Sequence, residues 1–300
     1  MKKKEIIEIA KENIHISFSE FQKYVECPHR HLIEKYLAIA EQPPSIHLFF
    51  GTSIHSALEH GFRDKINLEQ RIEHFKTMFQ KEMDEKLSNS KEYKNVGEFI
   101  KQGENILKIL SVELLAEKYE IVGIEEKLYE QLHDNYFFKG FIDLIVKYKD
   151  QDRYIVIDWK TSGEAWEVDK KLKDEIFVAQ MRFYKYFYAR KFNVPFENIE
   201  CKYIVLNRLR NKRNPYSGFG RLQPVNMNFN PQEIEQSLEL MVKTIRDIHI
   251  NKLFPKAKLN GGLKGCTFCP YKQGHELCDM NPLQYEDLLK IHKRAVIKRD

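Results

Sequence analysis

The sequence predicts a mixed α/β fold, in which a helical first part leads into a sheet with helices packed on it. Apolar residues recur at helical spacing up to about residue 118, and beyond that point the period changes to two over three successive segments. A helical pattern, a strand pattern and a final helical pattern then follow. This order of helix, three strands, helix and strand is typical of a mixed α/β core.

The helical part begins with two short helices. Ser17, followed by Glu20, forms a capping box that predicts the start of the first helix. Pro28 restarts the chain as a second helix, which ends before Pro43 and Pro44. Amphipathic spacing predicts three longer helices after this point, over residues 52–62, 68–88 and 98–118.

The alternating part predicts an antiparallel meander of three strands separated by polar turns. The strands span residues 121–130, 136–148 and 154–160. They are followed by a helix at 173–192, strands at 201–207 and 221–229, and a helix at 231–250. We expect one domain over residues 1–300, with N-terminal helices at 15–40, a helical region at 50–118, an α/β core at 120–253 and a cysteine-rich lobe at 254–300.

Length and composition limit the class of protein. Three hundred residues, of which 42% are hydrophobic, can bury a full core. No apolar run approaches the roughly 20 residues that span a bilayer, and the start lacks a signal peptide, so we expect a soluble cytosolic (cytoplasmic) protein. The net charge of +5 is too weak to indicate nucleic-acid binding by itself. The cysteine count of 5 is odd, and three cysteines lie between 266 and 278, which favours metal or cluster ligation over disulfides.

The end of the third predicted strand carries the strongest chemical signal. Because a strand alternates its side chains, Asp158 and Lys160 project to the same side, about 7 Å apart. Asp143, on the preceding strand, can lie beside Asp158 in an antiparallel pair. Close carboxylates repel each other unless a cation lies between them, and oxygen ligands suit Mg²⁺ or Mn²⁺. The pattern predicts a divalent-metal site in which Lys160 holds or orients an attacking water near a polarised phosphate.

Four short motifs follow one another along the chain. They are Gly51-Thr52-Ser53-Ile54-His55, Gly140-Phe141-Ile142-Asp143, Asp158-Trp159-Lys160-Thr161 and Gln180-Met181-Arg182-Phe183-Tyr184. In this order they resemble the motifs of the PD-(D/E)XK nucleases, and specifically of the RecB-like branch with the CRISPR-associated Cas-four exonucleases and AddB-type domains. The resemblance implies a restriction-endonuclease-like core that hydrolyses DNA phosphodiesters, and we expect action on single strands or DNA ends.

The resemblance also assigns roles to residues. It implies that the catalytic ion is bound by His55, Asp143, Asp158 and the carbonyl of Trp159. Lys160 would assist the nucleophile. Gln180 and Tyr184, one helical turn apart, would lie behind the site or near the DNA. Glu125 is similar to a further family acid, with its neighbour Glu126 as the alternative.

The cysteines predict a second centre. Cys266, Cys269 and Cys278 supply three thiolates, and a closed site needs one more ligand. Cys27 lies at a helix junction, as the lone upstream cysteine does in the RecB-like iron–sulfur nucleases. The resemblance therefore implies a 4Fe–4S cluster that ties the two ends of the chain together. Cys201 begins a predicted core strand and suits a small buried hydrophobe.

Two alternatives stay open at this point. The interval between Cys269 and Cys278 is longer than the family usually shows, and a zinc site that uses His275, His29 or His31 is the second interpretation of the cysteines. A nuclease fold that binds DNA ends without cutting, or a zinc-containing nucleic-acid-binding module, is the alternative to an enzyme.

A basic loop directly after the strand at 201–207 predicts contacts with DNA. Its four cations, with no acid among them, are Arg208, Arg210, Lys212 and Arg213. Such a loop neutralises phosphates without reading sequence. The chain has no G-x-x-x-x-G-K-[ST] phosphate loop, so we expect that unwinding of a duplex needs a separate helicase. CRISPR, recombination and repair proteins are further candidate partners.

Overall fold

The structure is a computed structural model that describes residues 13–36, 44–209, 220–256, 269, 271 and 278. The chain divides into two compact units. The smaller unit comprises Met1–Pro43, Gln131–Lys139 and Leu238–Asp300. The larger unit comprises Pro44–Glu130 and Gly140–Ser237. Among the described residues, no helix is long and apolar enough to cross a membrane.

The smaller unit begins with a strand, β1 (Ile14–Ser17), and a helix, α1 (Phe18–Glu26). Ser17 accepts the N–H of Glu20 at 3.2 Å, as the capping pattern predicts. The second predicted helix is shorter than expected, because α2 (Pro28–His31) passes into a π-helical turn at Leu32–Tyr36. The sequence pattern missed β1, whose four residues are too few for a recognisable alternation.

The larger unit starts with helices that share one hydrophobic cluster. They are α3 (Ile46–Arg63), α4 (Leu68–Leu87), α5 (Val96–Ile109) and α6 (Val112–Lys118). The third predicted helix, at 98–118, is therefore two helices. The cluster includes edge-to-face phenyl pairs, such as Phe50 with Phe75 at 5.6 Å between ring centroids. It packs against one face of the sheet through Trp159, which stacks on Phe62 of α3.

The strands and the remaining helices follow the predicted order. They are β2 (Tyr119–His133), β3 (Tyr136–Tyr148), β4 (Tyr154–Ser162), α7 (Val168–Leu172), α8 (Glu175–Phe192), β5 (Ile199–Asn207), β6 (Leu222–Met227) and α9 (Pro231–His249). β3 pairs with β2 and is antiparallel to β4, β4 is parallel to β5, and β5 is antiparallel to β6. The predicted mixed α/β class is confirmed. In the smaller unit, β1 is parallel to the first residues of β3.

Candidate active site

The site lies where β3 and β4 part from each other. Their ladder runs from Lys147↔Tyr154 to Leu144↔Ile157. Beyond Leu144 the backbone ladder ends, and a side chain of β3 bonds to β4 instead. The Asp143 Oδ2 atom accepts the backbone N–H of Trp159 at 2.7 Å. The two strands therefore bring Asp143 next to Asp158, as the antiparallel pairing predicts.

α3 places His55 against this pair of strands. His55 Nδ1 lies 3.5 Å from Asp143 Oδ2. The helix comes close to β4 at Gly51, where a Cβ atom would lie only 3.1 Å from Thr161 Oγ1. This spacing is tighter than ordinary van der Waals contact, so a glycine one turn before His55 suits the approach of the helix to the sheet.

Asp158 and Lys160 project to the same side of β4, as strand alternation requires. Lys160 Nζ lies 2.6 Å from Asp158 Oδ2, but without the alignment of a hydrogen bond. The Asp158 side chain is buried, whereas that of Lys160 is 29% exposed. Burial raises the pKa of Asp158 to about 6, with Lys160 opposing the shift and Asp143 adding to it.

α8 supplies the layer behind these residues. Gln180 Nε2 donates to Asp158 Oδ1 at 3.0 Å and to Tyr184 Oη at 3.1 Å. Lys160 Nζ donates to Gln180 Oε1 at 3.0 Å. Gln180 and Tyr184 thus lie behind the acids, one helical turn apart, where the motif spacing puts them. Both side chains are buried.

Two adjacent glutamates of β2, Glu125 and Glu126, have different surroundings. Glu125 has φ +49°, a left-handed backbone conformation that is rare for a residue with a side chain. Its carboxyl faces the same cavity as His55 and Asp143, and burial, with help from Asp143 and Glu59, raises its pKa to about 7. Glu126 instead pairs with Lys191 at 2.6 Å. The bend in β2 places these adjacent acids in different surroundings.

A cavity of about 660 Å³ opens at the site. Its lining includes His55, Glu125 and Asp143, together with Glu59, which the sequence analysis missed. Glu59 follows His55 by one helical turn on α3, so a search for acids at i+4 from the histidine would have found it. Burial lowers the pKa of His55, but the neighbouring carboxylate of Asp143 outweighs it, and the net shift is upwards.

The chain was compared with known proteins. A model of the "PD-(D/E)XK nuclease superfamily" matches residues 15–274. The chain belongs to this superfamily. A search of curated proteins gave no match. Among solved structures, the chain is similar to the Eubacterium rectale protein named "Putative exonuclease", with 12% identity over 85% of this chain and 89% of that chain and a TM-score of 0.47.

PD-(D/E)XK nucleases generally use a divalent metal ion, and the donor set of this site suits one. Asp158 Oδ2 is a buried carboxylate oxygen whose near neighbour is the Lys160 ammonium, and burial together with repulsion from Asp143 raises the pKa of both Asp158 and Glu125. Carboxylate oxygens and an imidazole are ligands of Mg²⁺ or Mn²⁺. As placed, no three His, Cys, Asp or Glu side chains of the described residues converge tightly enough to enclose an ion.

Of the predicted cluster cysteines, Cys27, Cys269 and Cys278 belong to the smaller unit, whereas Cys266 lies outside the described residues. Cys27 Sγ accepts the N–H of Arg30 at 3.4 Å. Burial lowers the pKa of Arg30, but Glu34 and, to a smaller extent, Cys269 shift it upwards. Cys27 and Cys269 are thus both neighbours of Arg30. Cys201 is buried in β5, as its apolar interpretation predicts.

Of the basic loop, the structure describes Arg208, whereas Arg210, Lys212 and Arg213 lie outside the described residues. The Arg208 guanidinium lies 4.4 Å from the centroid of the Phe99 ring and donates to Gln102 at 3.1 Å. One side of this cation is therefore occupied by α5.

Proposed function

We propose that the chain is a divalent-metal-dependent deoxyribonuclease that hydrolyses DNA phosphodiesters, as an exonuclease on single strands or DNA ends. The observation that carries the proposal is the gathering of one imidazole, three acids and one ammonium group at one place. His55, Glu125 and Asp143 line the cavity, and Asp158 and Lys160 lie next to Asp143 on β4. A cluster of perturbed acids in a cleft is typical of a reactive site.

His55, Asp143 and Asp158 would hold the ion, together with the carbonyl of Trp159. When bound, Mg²⁺ or Mn²⁺ would supply Lewis-acid polarisation of a phosphate oxygen. Asp143 is fixed for this task by the Trp159 N–H, and Asp158 by the Gln180 amide. Both carboxylates are therefore preorganised by neighbours that do not themselves face the substrate.

Lys160 would hold and orient the attacking water. Its ammonium is partly exposed, so it can reach the cavity side while Gln180 holds it from behind. An ammonium group beside the reacting phosphate also stabilises the charge that develops in the transition state. Glu125, which faces the same cavity, would contribute a further acid.

The direct test is DNA cleavage by the purified chain. Linear single-stranded and duplex DNA, labelled at either end, and circular or end-blocked DNA are incubated with Mg²⁺, Mn²⁺ or a chelator. We expect metal-dependent loss of linear DNA, with circular DNA resistant. Lys160→Met is expected to reduce turnover by about 10²-fold or more.

The control for Lys160 is Lys191→Met. Lys191 has the same side-chain exposure of 29% and also pairs with a carboxylate, but its partner is Glu126 and not Asp158. Cleavage that survives Lys160→Met would refute the assignment. DNA binding without turnover in the wild type, across all metals tested, would support the non-cutting scaffold instead.

We also propose a structural 4Fe–4S cluster held by Cys27, Cys266, Cys269 and Cys278. The support is that Arg30 neighbours both Cys27 and Cys269, within a unit that combines the first and last segments of the chain. The thiolates would anchor these segments to each other.

Metal analysis of protein purified without oxygen tests the cluster. Iron and acid-labile sulfide in equal amounts, lost together in Cys27→Ser, are the expected result. A colourless protein with zinc would establish the zinc alternative.

We further propose that Arg208, Arg210, Lys212 and Arg213 contact DNA phosphates. A helicase, or proteins of CRISPR defence, recombination or repair, would bring duplex substrates to the site.

A further inference from the structure

Tyr203 lies on β5 directly beside the site and belongs to none of the four motifs. Its Cα pairs with that of Asp158 in the parallel ladder of β4 and β5. The side chain is fully buried, at 0% exposure. Its hydroxyl lies 3.1 Å from two acceptors, the backbone oxygen of Phe177 and Oε1 of Gln180. A buried tyrosine whose polar end reaches the site is a candidate for more than packing.

The chemistry of the partners fixes the Gln180 amide in one orientation. Lys160 can only donate, so it requires the amide oxygen, whereas an ionised Asp158 can only accept and requires the NH₂ group. The second acceptor position of the oxygen takes the Tyr203 hydroxyl, and the second amide hydrogen goes to Tyr184. Each hydrogen-bonding position of Gln180 is therefore used, and Tyr203 holds one of them.

The ring of Tyr203 acts on the lysine directly. Lys160 Nζ lies 5.2 Å from the centroid of this ring, which is within the range of a cation–π contact. The ammonium is thus bounded by the Asp158 carboxylate, the Gln180 oxygen and the Tyr203 ring. Trp166 and Phe177 pack against the same ring and hold it in place.

We infer that Tyr203 is a positioning residue for Lys160, through its ring and through the Gln180 amide. This inference rests on the proposed nuclease function, in which Lys160 orients the nucleophile. Tyr203 touches neither substrate nor ion in this scheme. Its removal should impair the chemical step while leaving DNA binding and metal binding intact.

Two variants separate the two contacts. Tyr203→Phe keeps the ring and loses the hydroxyl, whose one proton is shared by two acceptors, so we expect kcat to fall only about threefold. Tyr203→Leu loses both contacts, and we expect kcat to fall about 30-fold. In both variants KM for DNA and the affinity for Mn²⁺ should stay within about twofold of the wild type.

A second measurement does not depend on activity. In the metal-free protein, an amine-acylating reagent followed by peptide mass spectrometry gives the labelling rate of Lys160 relative to Lys191, which has the same exposure of 29%. Release of the ammonium in Tyr203→Leu should raise this ratio about twofold or more. The ratio in Tyr203→Phe should stay near the wild-type value.

Tyr188→Leu is the matched control. Tyr188 is a buried tyrosine of α8 with 4% exposure, and it packs on Tyr154 and Phe192 away from the site. The Tyr188→Leu variant should have a lower thermal midpoint than the wild type, as the Tyr203→Leu variant should. Its kcat and the labelling rate of its Lys160 should be unchanged. If Tyr203→Leu does not fold, the kcat of Tyr203→Phe decides, and an unchanged value overturns the inference.

The inference is also overturned if Lys160 labelling is the same in folded Tyr203→Leu and wild type, or if Tyr188→Leu loses as much kcat. A wild type that cuts no DNA with any metal, but whose Lys160 labelling responds to Tyr203→Leu, would refute the proposed function and leave the positioning role standing. The two failures are therefore distinguishable.

Discussion

Two buried acids in this chain have opposite electrostatic surroundings. Glu20, in the smaller unit, lies 3.1 Å from both His31 and Lys35, and these partners lower its pKa to about 2 although burial acts the other way. Asp158, in the larger unit, has Lys160 beside it, and yet burial raises its pKa to about 6. Asp143 competes for the available positive charge around Asp158.

The difference separates a structural acid from a reactive one. Glu20 is stabilised by its hydrogen bond with His31 and its ion pair with Lys35, so its charged form stabilises the fold. Asp158 and Glu125 are under-compensated, so their charged forms cost stability that a bound cation would restore. Substitutions at these acids, and at His249, test this difference.

Asp158→Asn should abolish function without loss of stability. The amide keeps an acceptor for Gln180 and removes a poorly compensated buried charge, so we expect turnover to fall about 10³-fold. Because the raised pKa of Asp158 makes its charged form costly in the folded state, the free energy of unfolding, measured without metal at neutral pH, should stay equal or rise by about 1 kcal/mol. Mn²⁺ should raise the thermal midpoint of the wild type and not of the variant. A clear loss of stability would contradict the contrast.

Glu20→Gln should have the opposite effect to Asp158→Asn, with a loss of stability and no loss of turnover. The difference between a folded pKa of about 2 and the usual 4.5 corresponds to about 3 kcal/mol of stability at neutral pH. Because the folded pKa is the lower one, this contribution is complete above about pH 4.5 and is lost as the pH falls towards 2. Urea unfolding at neutral pH measures it. Glu69→Gln, an exposed acid of α4, is the control and should change stability by less than about 0.5 kcal/mol.

Glu125→Gln and Glu126→Gln distinguish the two adjacent acids in the middle of β2. Glu125 faces the cavity, whereas Glu126 pairs with Lys191. We expect Glu125→Gln to lower kcat about 10-fold or more and Glu126→Gln to change it less than about twofold. Steady-state kinetics on the same DNA substrate measure both. Equal losses would show that the bend in β2 does not select between them.

His249→Gln should reduce the loss of unfolding free energy that the protein shows as the pH falls. Burial lowers the pKa of His249 to about 4, and its buried Nε2 has no hydrogen-bond partner within the part of the chain that the structure describes. As the pH falls, His249 is protonated near pH 6.5 in the unfolded chain but stays neutral in the folded protein. This difference lowers the free energy of unfolding by about 1 kcal/mol between pH 7 and 5.5. Unfolding free energies at these two pH values should converge in the variant. An identical pH slope in both proteins would contradict the prediction.

The order of the elements and the local direction of side chains could be predicted from sequence patterns alone. The period changes near residue 118 marked the strands, and alternation along β4 put Asp158 and Lys160 on one side. The helical spacing of Gln180 and Tyr184 likewise put both on one face of α8. These features depend on residues close in sequence, so a pattern can predict them.

Three features of the site could not be predicted from such patterns. They are the choice of Glu125 over Glu126 for the cavity, the separation of β3 and β4 at Asp143, and the contact of Tyr203 on β5 with Lys160. Each depends on a backbone bend, a strand register or a burial that arises between segments far apart in sequence. The same holds for the pKa of Asp158, because its direction depends on the balance between burial and two neighbouring charges. Such balances exist only after the chain has folded, since desolvation is a property of the packed interior.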